Sequence, residues 1–380
     1  MYALVNCDIF TGIEFVHNRA LIIDGNKIRS LIPIDELDPD IERIDLKNHT
    51  IAPGFIDIQV NGGGDVLFND NPDIQTIEKM LFAHRKFGTT DMLPTLITDS
   101  KEKMQVAVDT ISKCIQDNIP GVLGIHFEGP FLNKDKAGVH DKSYIRKVND
   151  TDMDIICSLS EGKTLLTIAP EYVDDNIIID LKNRGIVISL GHTNGTYSQA
   201  MNAFSLGVDC TTHLYNAMTQ LGSREPGVVG AALDHKDSWC GIIVDGIHSD
   251  FAAVRIAHKA KNLQKMILVT DAMPPVGGKG LDFNLGEYKI SYDNGQCITN
   301  GNVLAGSGLD MASAVRNCIQ KVGIDKGEAL RMASAYPATL LGVNDKIGYI
   351  KPGFKANLVI FNTQIHVSAT IIDGKYEIVN

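Results

Sequence analysis

The sequence predicts an α/β protein: a (β/α)8 TIM-like barrel with a small β-sandwich domain assembled from both chain termini. Three observations carry this. Eight short β-rich runs alternate with helix-like segments over about 250 residues, the arithmetic of such a barrel. The first fifty and last thirty residues are instead rich in short strands and hairpin turns. The barrel runs also end in chemically capable side chains, which a closed barrel brings to one mouth.

Taken in order, residues 2–5, 20–24 and 27–33 read as strands, the last two joined at Asp24-Gly25-Asn26. An Asp-Gly pair between apolar runs is a hairpin signal. The barrel runs are 51–58, 89–93, 122–126, 164–169, 186–190, 208–212, 239–244 and 266–270. Helix-like segments fill most gaps, at 73–87, 101–118, 198–206 and 250–259. Near the C-terminus, 349–352, 357–361 and 370–372 read as strands, followed by the turn Asp373-Gly374. The expected division is 1–50 with 346–380 for the small domain and 51–345 for the barrel. An open doubly wound sheet is the other topology for such alternation, but there the first and eighth strands can lie far apart.

Bulk properties narrow the function. The 380 residues are 44% hydrophobic and 21% charged, an ordinary globular composition. The net charge of −11 argues against a general binder of nucleic acid or anionic membranes. No apolar run approaches the roughly 18 residues of a membrane span, and no basic segment followed by an apolar stretch opens the chain. The seven cysteines are scattered and contain no CxxC pair. A reduced, cytoplasmic protein is the expectation, without a cysteine zinc site or a disulfide framework.

The ends of the runs hold the chemistry. Run one leads to Gln59 and Asn61, run three to Glu128, run five to His192 and run six to His213. Run seven leads to Asp245 and His248, and run eight to Asp271. One histidine at a strand end is more often a hydrogen-bonded structural residue than a ligand. Glu128, His192 and His213 differ as a set, because a carboxylate and two imidazoles with one position left open describe a catalytic metal site. Residue types alone leave the structural and the metal readings both open. Asp271 could merely cap the next helix; beside a metal it suits a base that takes a proton from water.

Ordered motifs run the length of the chain. They are Pro53-Gly54-Phe55-Ile56-Asp57, His126-Phe127-Glu128-Gly129-Pro130-Phe131, Ala169-Pro170-Glu171 and Gly191-His192-Thr193-Asn194. After them come Thr212-His213-Leu214-Tyr215-Asn216-Ala217-Met218, Arg224-Glu225-Pro226-Gly227, Asp245-Gly246-Ile247-His248 and Thr270-Asp271-Ala272. Leu304-Ala305-Gly306-Ser307 and residues 348–358 complete the series. In this the chain resembles the N-acetylglucosamine-6-phosphate deacetylase family of the amidohydrolase superfamily. The resemblance favours the metal reading. It implies hydrolysis of N-acetylglucosamine 6-phosphate to glucosamine 6-phosphate and acetate, in a homodimer.

The superfamily's first strand usually ends in His-x-His, which holds a second metal; here Gln59 and Asn61 stand in those places. Neutral amides are poor ligands beside imidazole. The fourth-strand lysine that often bridges two metals also has no counterpart in Thr167-Ile168-Ala169-Pro170-Glu171. One divalent cation per subunit is therefore expected: zinc first, with Fe2+, Mn2+ and Co2+ also compatible.

Asp271 is expected as base and then acid, because an amine is too basic to leave unprotonated. His140, in the loop after run three, is the candidate donor to the oxyanion. His248 and Arg224 are the candidate phosphate grips, Arg224 reaching the neighbouring subunit's site, as the resemblance implies; a guanidinium fork suits phosphate. Asn216, Ala217, Leu304, Ala305 and Gly306 carry over as sugar contacts, the last three in a turn. Gly62-Gly63-Gly64 lacks the phosphate-loop spacing and reads as a tight turn under the site. The alternatives are an amidohydrolase acting on another amide, which usually needs the missing His pair, or an inactive scaffold relative, which generally loses ligands or base.

Overall fold

The computed structural model describes residues 1–261 and 264–379. Eight parallel strands form one sheet: β1 (Phe55–Val60), β2 (Thr89–Ile97), β3 (Gly124–Glu128), β4 (Lys163–Ile168), β5 (Val187–Leu190), β6 (Cys210–Thr211), β7 (Trp239–Ile242) and β8 (Met266–Leu268). They lie side by side in sequence order. The ring closes just past β8, where Val60 bridges Ala272 in parallel and the Asp271 N–H donates to the Gln59 carbonyl at 2.9 Å. The expected (β/α)8 barrel is therefore present, and the open doubly wound alternative is not. Closure occurs at the residues that carry Gln59, Asn61 and Asp271, so the first and last strands share one wall of the mouth.

The predicted helices form as Ile74–Arg85, Lys101–Gln116, Tyr197–Ser205 and Phe251–Ala260. Each starts on a side-chain cap, from Asp73, Ser100, Thr196 and Asp250 respectively. Such caps satisfy amide N–H groups that the first helical turn leaves free.

The termini build two further sheets. One orders Lys27–Pro33, Arg19–Asp24, Tyr2–Val5 and Glu42–Asp45. The other interleaves both ends of the chain: Lys375–Ile378, Val367–Ile372, Leu358–Phe361, Thr50–Pro53, Asp8–Phe10 and Phe15–Val16. Leu4, Leu21 and Ile23 of the first sheet share an apolar cluster with Ile51, Leu358 and Ile371 of the second.

The structure corrects three expectations. Run 51–58 is two strands in two sheets, parted at Gly54; a Cβ there would stand 2.0 Å from Thr90 Oγ1. The apolar pattern runs on because both strands are fully buried. Residues 349–352 form no strand: Gly348 and Gly353 both take a φ of 87°, and Pro352 has no N–H to offer a ladder. Leu304–Ser307 is not a turn but the last strand of an antiparallel sheet with Phe283–Leu285, Tyr288–Asp293 and Gln296–Thr299, which the sequence reading missed. Its signal was Asn294-Gly295 between two β-rich runs, with φ values of 49° and 85° at the hairpin.

Candidate metal centre and active site

Three of the residues singled out at the strand ends leave their strands through a left-handed backbone. φ is 49° at His192, 28° at His213 and 52° at Asp271. In non-glycine residues this conformation is strained, on the order of 1–3 kcal/mol each, and such strain clusters at functional sites. Here it turns each side chain from the sheet into the mouth. Glu128 ends β3 itself, and a Cβ on Gly129 behind it would lie 2.3 Å from Thr98 Oγ1.

The expected ligands converge. Glu128 Oε1 lies 3.1 Å from His192 Nε2 and 3.0 Å from His213 Nε2, and the two imidazole nitrogens are 3.1 Å apart. All three residues are buried. Ligand atoms arranged tetrahedrally at zinc distances of about 2.0–2.1 Å sit about 3.3 Å from one another, so this triangle fits a small divalent cation. The contact between the two imidazoles supports that fit, since only one shared proton could make it favourable in the cation's place. His192 Nδ1 bonds the Lys136 carbonyl at 2.8 Å, which leaves Nε2 as the ligand atom. His213 Nδ1 is buried without a partner among the described residues. Burial opposes the charge on Glu128, but His192 and His213 hold its carboxyl well below the usual range.

Ligand atoms of Glu128, His140 and His192 also gather within 4.8 Å. The set with His213 is tighter, and His140 is engaged elsewhere. Its Nδ1 is 2.8 Å from Thr98 Oγ1 and accepts from the Thr98 N–H at 3.4 Å. Burial, and then the charge of His192, lower the His140 pKa to about 3, so the ring is a neutral donor.

Asp271 is buried, and burial followed by the Glu128 charge raises its pKa to about 6. Its Oδ1 accepts from Asn61 Nδ2 at 2.6 Å and from Gln59 Nε2 at 3.2 Å. The same Gln59 amide donates to Glu128 Oε1 at 3.1 Å. Beneath them Asp57, pushed up to about 7 chiefly by burial, accepts from Thr270 Oγ1 and from the N–H groups of Gln59 and Thr270. It ties β1 to the segment that carries Asp271.

The substrate-contact candidates are distributed around this centre. His248 Nδ1 pairs with Asp245 Oδ2 at 2.7 Å, and its charge helps to lower the Asp271 pKa. Asn216 folds back on the carbonyls of His213 and Leu214, while the Ala217 carbonyl holds the Thr193 N–H at 3.0 Å. Gly306 abuts the Asp271 backbone, and the Ser307 N–H donates to the Asp271 carbonyl at 2.8 Å. Arg224 is not brought to the centre by its own chain: it is exposed and makes no hydrogen bond among the described residues. Of Gly62-Gly63-Gly64, Gly62 and Gly63 form a short strand paired with Val66–Leu67, and the tight turn falls at Gly64 and Asp65, both at a φ of 65°.

Two supporting groups escaped sequence reasoning. Glu171 holds Thr193 Oγ1 at 2.5 Å, the Asn194 N–H at 2.7 Å and Asn133 Nδ2 at 2.9 Å, and so anchors the loop that carries His192. Its signal was the Ala169-Pro170-Glu171 motif at the end of β4. His126, inside the barrel, bonds Thr167 Oγ1 at 2.8 Å and starts a hydroxyl chain to Thr212 and Ser189. A groove of about 440 Å3 beside the mouth is lined by Thr98 and Val139 but by none of Glu128, His192, His213 or Asp271.

A barrel of eight parallel strands with this carboxylate and imidazole set at its C-terminal mouth defines a metal-dependent hydrolase. The amidohydrolase family matches residues 50–376, and the chain belongs to that family. The NagA composite domain matches residues 1–51. N-acetylglucosamine-6-phosphate deacetylase of Haemophilus influenzae is 38% identical over 379 residues, 99% of each chain. N-acetylgalactosamine-6-phosphate deacetylase of Shewanella sp. is 40% identical over 330 residues, 87% of this chain and 84% of that one. The crystal structure of N-acetylglucosamine-6-phosphate deacetylase from Pasteurella multocida, 37% identical, superposes with a TM-score of 0.96 over 99% of both chains.

Proposed function

We propose that the chain hydrolyses the N-acetyl group of N-acetylglucosamine 6-phosphate, releasing acetate and glucosamine 6-phosphate. The observation that carries this is the full-length similarity to a deacetylase of that name, together with a Glu-His-His centre and an adjacent aspartate. Glu128, His192 and His213 hold one divalent cation, zinc as first expectation. When bound, it supplies a Lewis acid for the acetyl carbonyl and lowers the pKa of water.

The remaining work falls to the chain's own groups. Asp271 takes the proton of the attacking water on Oδ2 and returns it to the departing amine nitrogen, as the new C–O bond forms and the C–N bond breaks. His140 donates its Nε2–H to the oxygen that gathers charge. His248, with Nδ1 committed to Asp245, offers Nε2 to the phosphate. Arg224, exposed on its own chain, grips the phosphate in the site of a second copy, so the working unit is a homodimer. Among the described residues no helix is long and apolar enough to cross a membrane, and all seven cysteines are free, in keeping with a reducing cytoplasm.

Acetate release tests the reading. Turnover of N-acetylglucosamine 6-phosphate with little on unphosphorylated N-acetylglucosamine is expected; equal rates on both would remove the phosphate assignment. The 40% identity to an N-acetylgalactosamine-6-phosphate deacetylase favours a second reading, in which the epimer is the better substrate. A higher kcat/KM for the galacto epimer would establish it.

A further inference from the structure

Resting on the deacetylase reading, we propose that Asn61 and Gln59 are positioning residues whose amides clamp one carboxylate oxygen of Asp271 and reserve the other for the proton. The two oxygens of Asp271 are not equivalent. Oδ1 accepts from Asn61 Nδ2 at 2.6 Å and from Gln59 Nε2 at 3.2 Å, while among the described residues no donor bonds Oδ2. A carboxylate that rotated freely would offer either oxygen to water. One held by two donors presents a single oxygen in a fixed direction, as proton transfer requires.

Packing alone does not explain Asn61. The side chain is 1% exposed, and its Oδ1 has no partner among the described residues. A buried unpaired acceptor is unfavourable, so an apolar residue of that size would suit the wall better. What the amide adds is its short bond to Asp271. Gln59 does a second job, because Nε2 lies between the carboxylates of Glu128 and Asp271 and donates to both. It thereby eases the repulsion between two buried carboxylates. The backbone supports the clamp: Asp57 fixes the Gln59 N–H, and the Asp271 N–H donates to the Gln59 carbonyl. The pair of amides is therefore more than the lack of a second metal site; it supplies the hydrogen bonds that orient the base.

The test compares zinc-loaded wild type, Asn61→Leu and Gln59→Leu for kcat, KM, bound metal and melting temperature. Asn61→Leu is expected to lower kcat about 10- to 100-fold, the range for supporting-residue changes. Its KM should stay within about twofold, with metal content and melting temperature held. Gln59→Leu should lower kcat similarly and also lose metal more readily to a chelator, because it alone touches Glu128. Should Asn61→Leu fail to fold, Asn61→Ala removes the donor without adding bulk or charge, and a comparable fall in kcat is expected. Wild-type kcat in the Asn61 variants, or a loss confined to KM, overturns the proposal while leaving the deacetylase reading intact. A wild-type protein that releases no acetate overturns that reading first, and this proposal with it.

Discussion

The barrel mouth and the paired terminal sheets use buried residues in opposite ways. Between the terminal sheets the interior is aliphatic: Leu4, Leu21, Ile23, Ile51, Leu358 and Ile371 pack together, and the tight hairpin between Lys27–Pro33 and its neighbour turns on Gly25, a residue that takes a positive φ without strain. At the mouth, Glu128, Asp271, His140, His192 and His213 are also buried, but the strained φ values fall on His192, His213 and Asp271. One region gains stability from burial. The other gives some up to hold charges and dipoles where water cannot screen them. The hydrogen bonds accepted by Glu171, those with Thr98, and those donated by Gln59 and Asn61 are what make the second arrangement tenable.

Mutations should separate the two regions cleanly. The largest effect is expected from Asp271→Asn, which removes the base while keeping shape. Turnover should fall about 100- to 10 000-fold, with metal content unchanged by elemental analysis; full activity would move the proton chemistry elsewhere. Next is Glu171→Ala, which frees the loop carrying His192. Metal affinity, read by competition with a chelator, should drop about 10- to 100-fold. Retained affinity would mean that the strained loop holds itself.

A change in pH probes the same charge balance. In the proposed role Asp271 works as a carboxylate, and burial and Glu128 raise its pKa to about 6. Activity is therefore full above that value and lost as pH falls, because protonation removes the base. A bound cation favours the charged form, so the acid limb of kcat/KM should lie no higher than about pH 6. A limb clearly above it would point to a different titrating group.

In the terminal sheets the expected change is in stability alone. Leu358 is fully buried, and Leu358→Ala should destabilise by about 2–5 kcal/mol in chemical denaturation, while kcat of the folded protein stays within about twofold. A large loss of kcat would show that the two regions are coupled.

The same contrast sets what could be read from the sequence. Strands whose pattern and turn residues agree were legible: seven of the barrel runs map onto single strands, and the Asp24-Gly25 hairpin forms at the expected place. The first run was misread because a fully buried strand of one sheet and a fully buried strand of another look alike in sequence, with only Pro53-Gly54 between them. The candidate ligands and the candidate base were legible as residue types at strand ends. Their geometry was not, because the left-handed turns at His192, His213 and Asp271 fall on non-glycine residues, whose type does not announce a positive φ. Gln59 and Asn61 were read only for what they lack as ligands; their donation to Asp271 depends on closure between β1 and β8, a pairing distant in sequence.

The measurement closest to the central claim is a metal titration of the stripped protein followed by acetate release from N-acetylglucosamine 6-phosphate. A single centre of Glu128, His192 and His213 predicts activity that rises linearly and saturates at about one zinc per chain. Saturation only at two equivalents, with both ions needed for turnover, would contradict it.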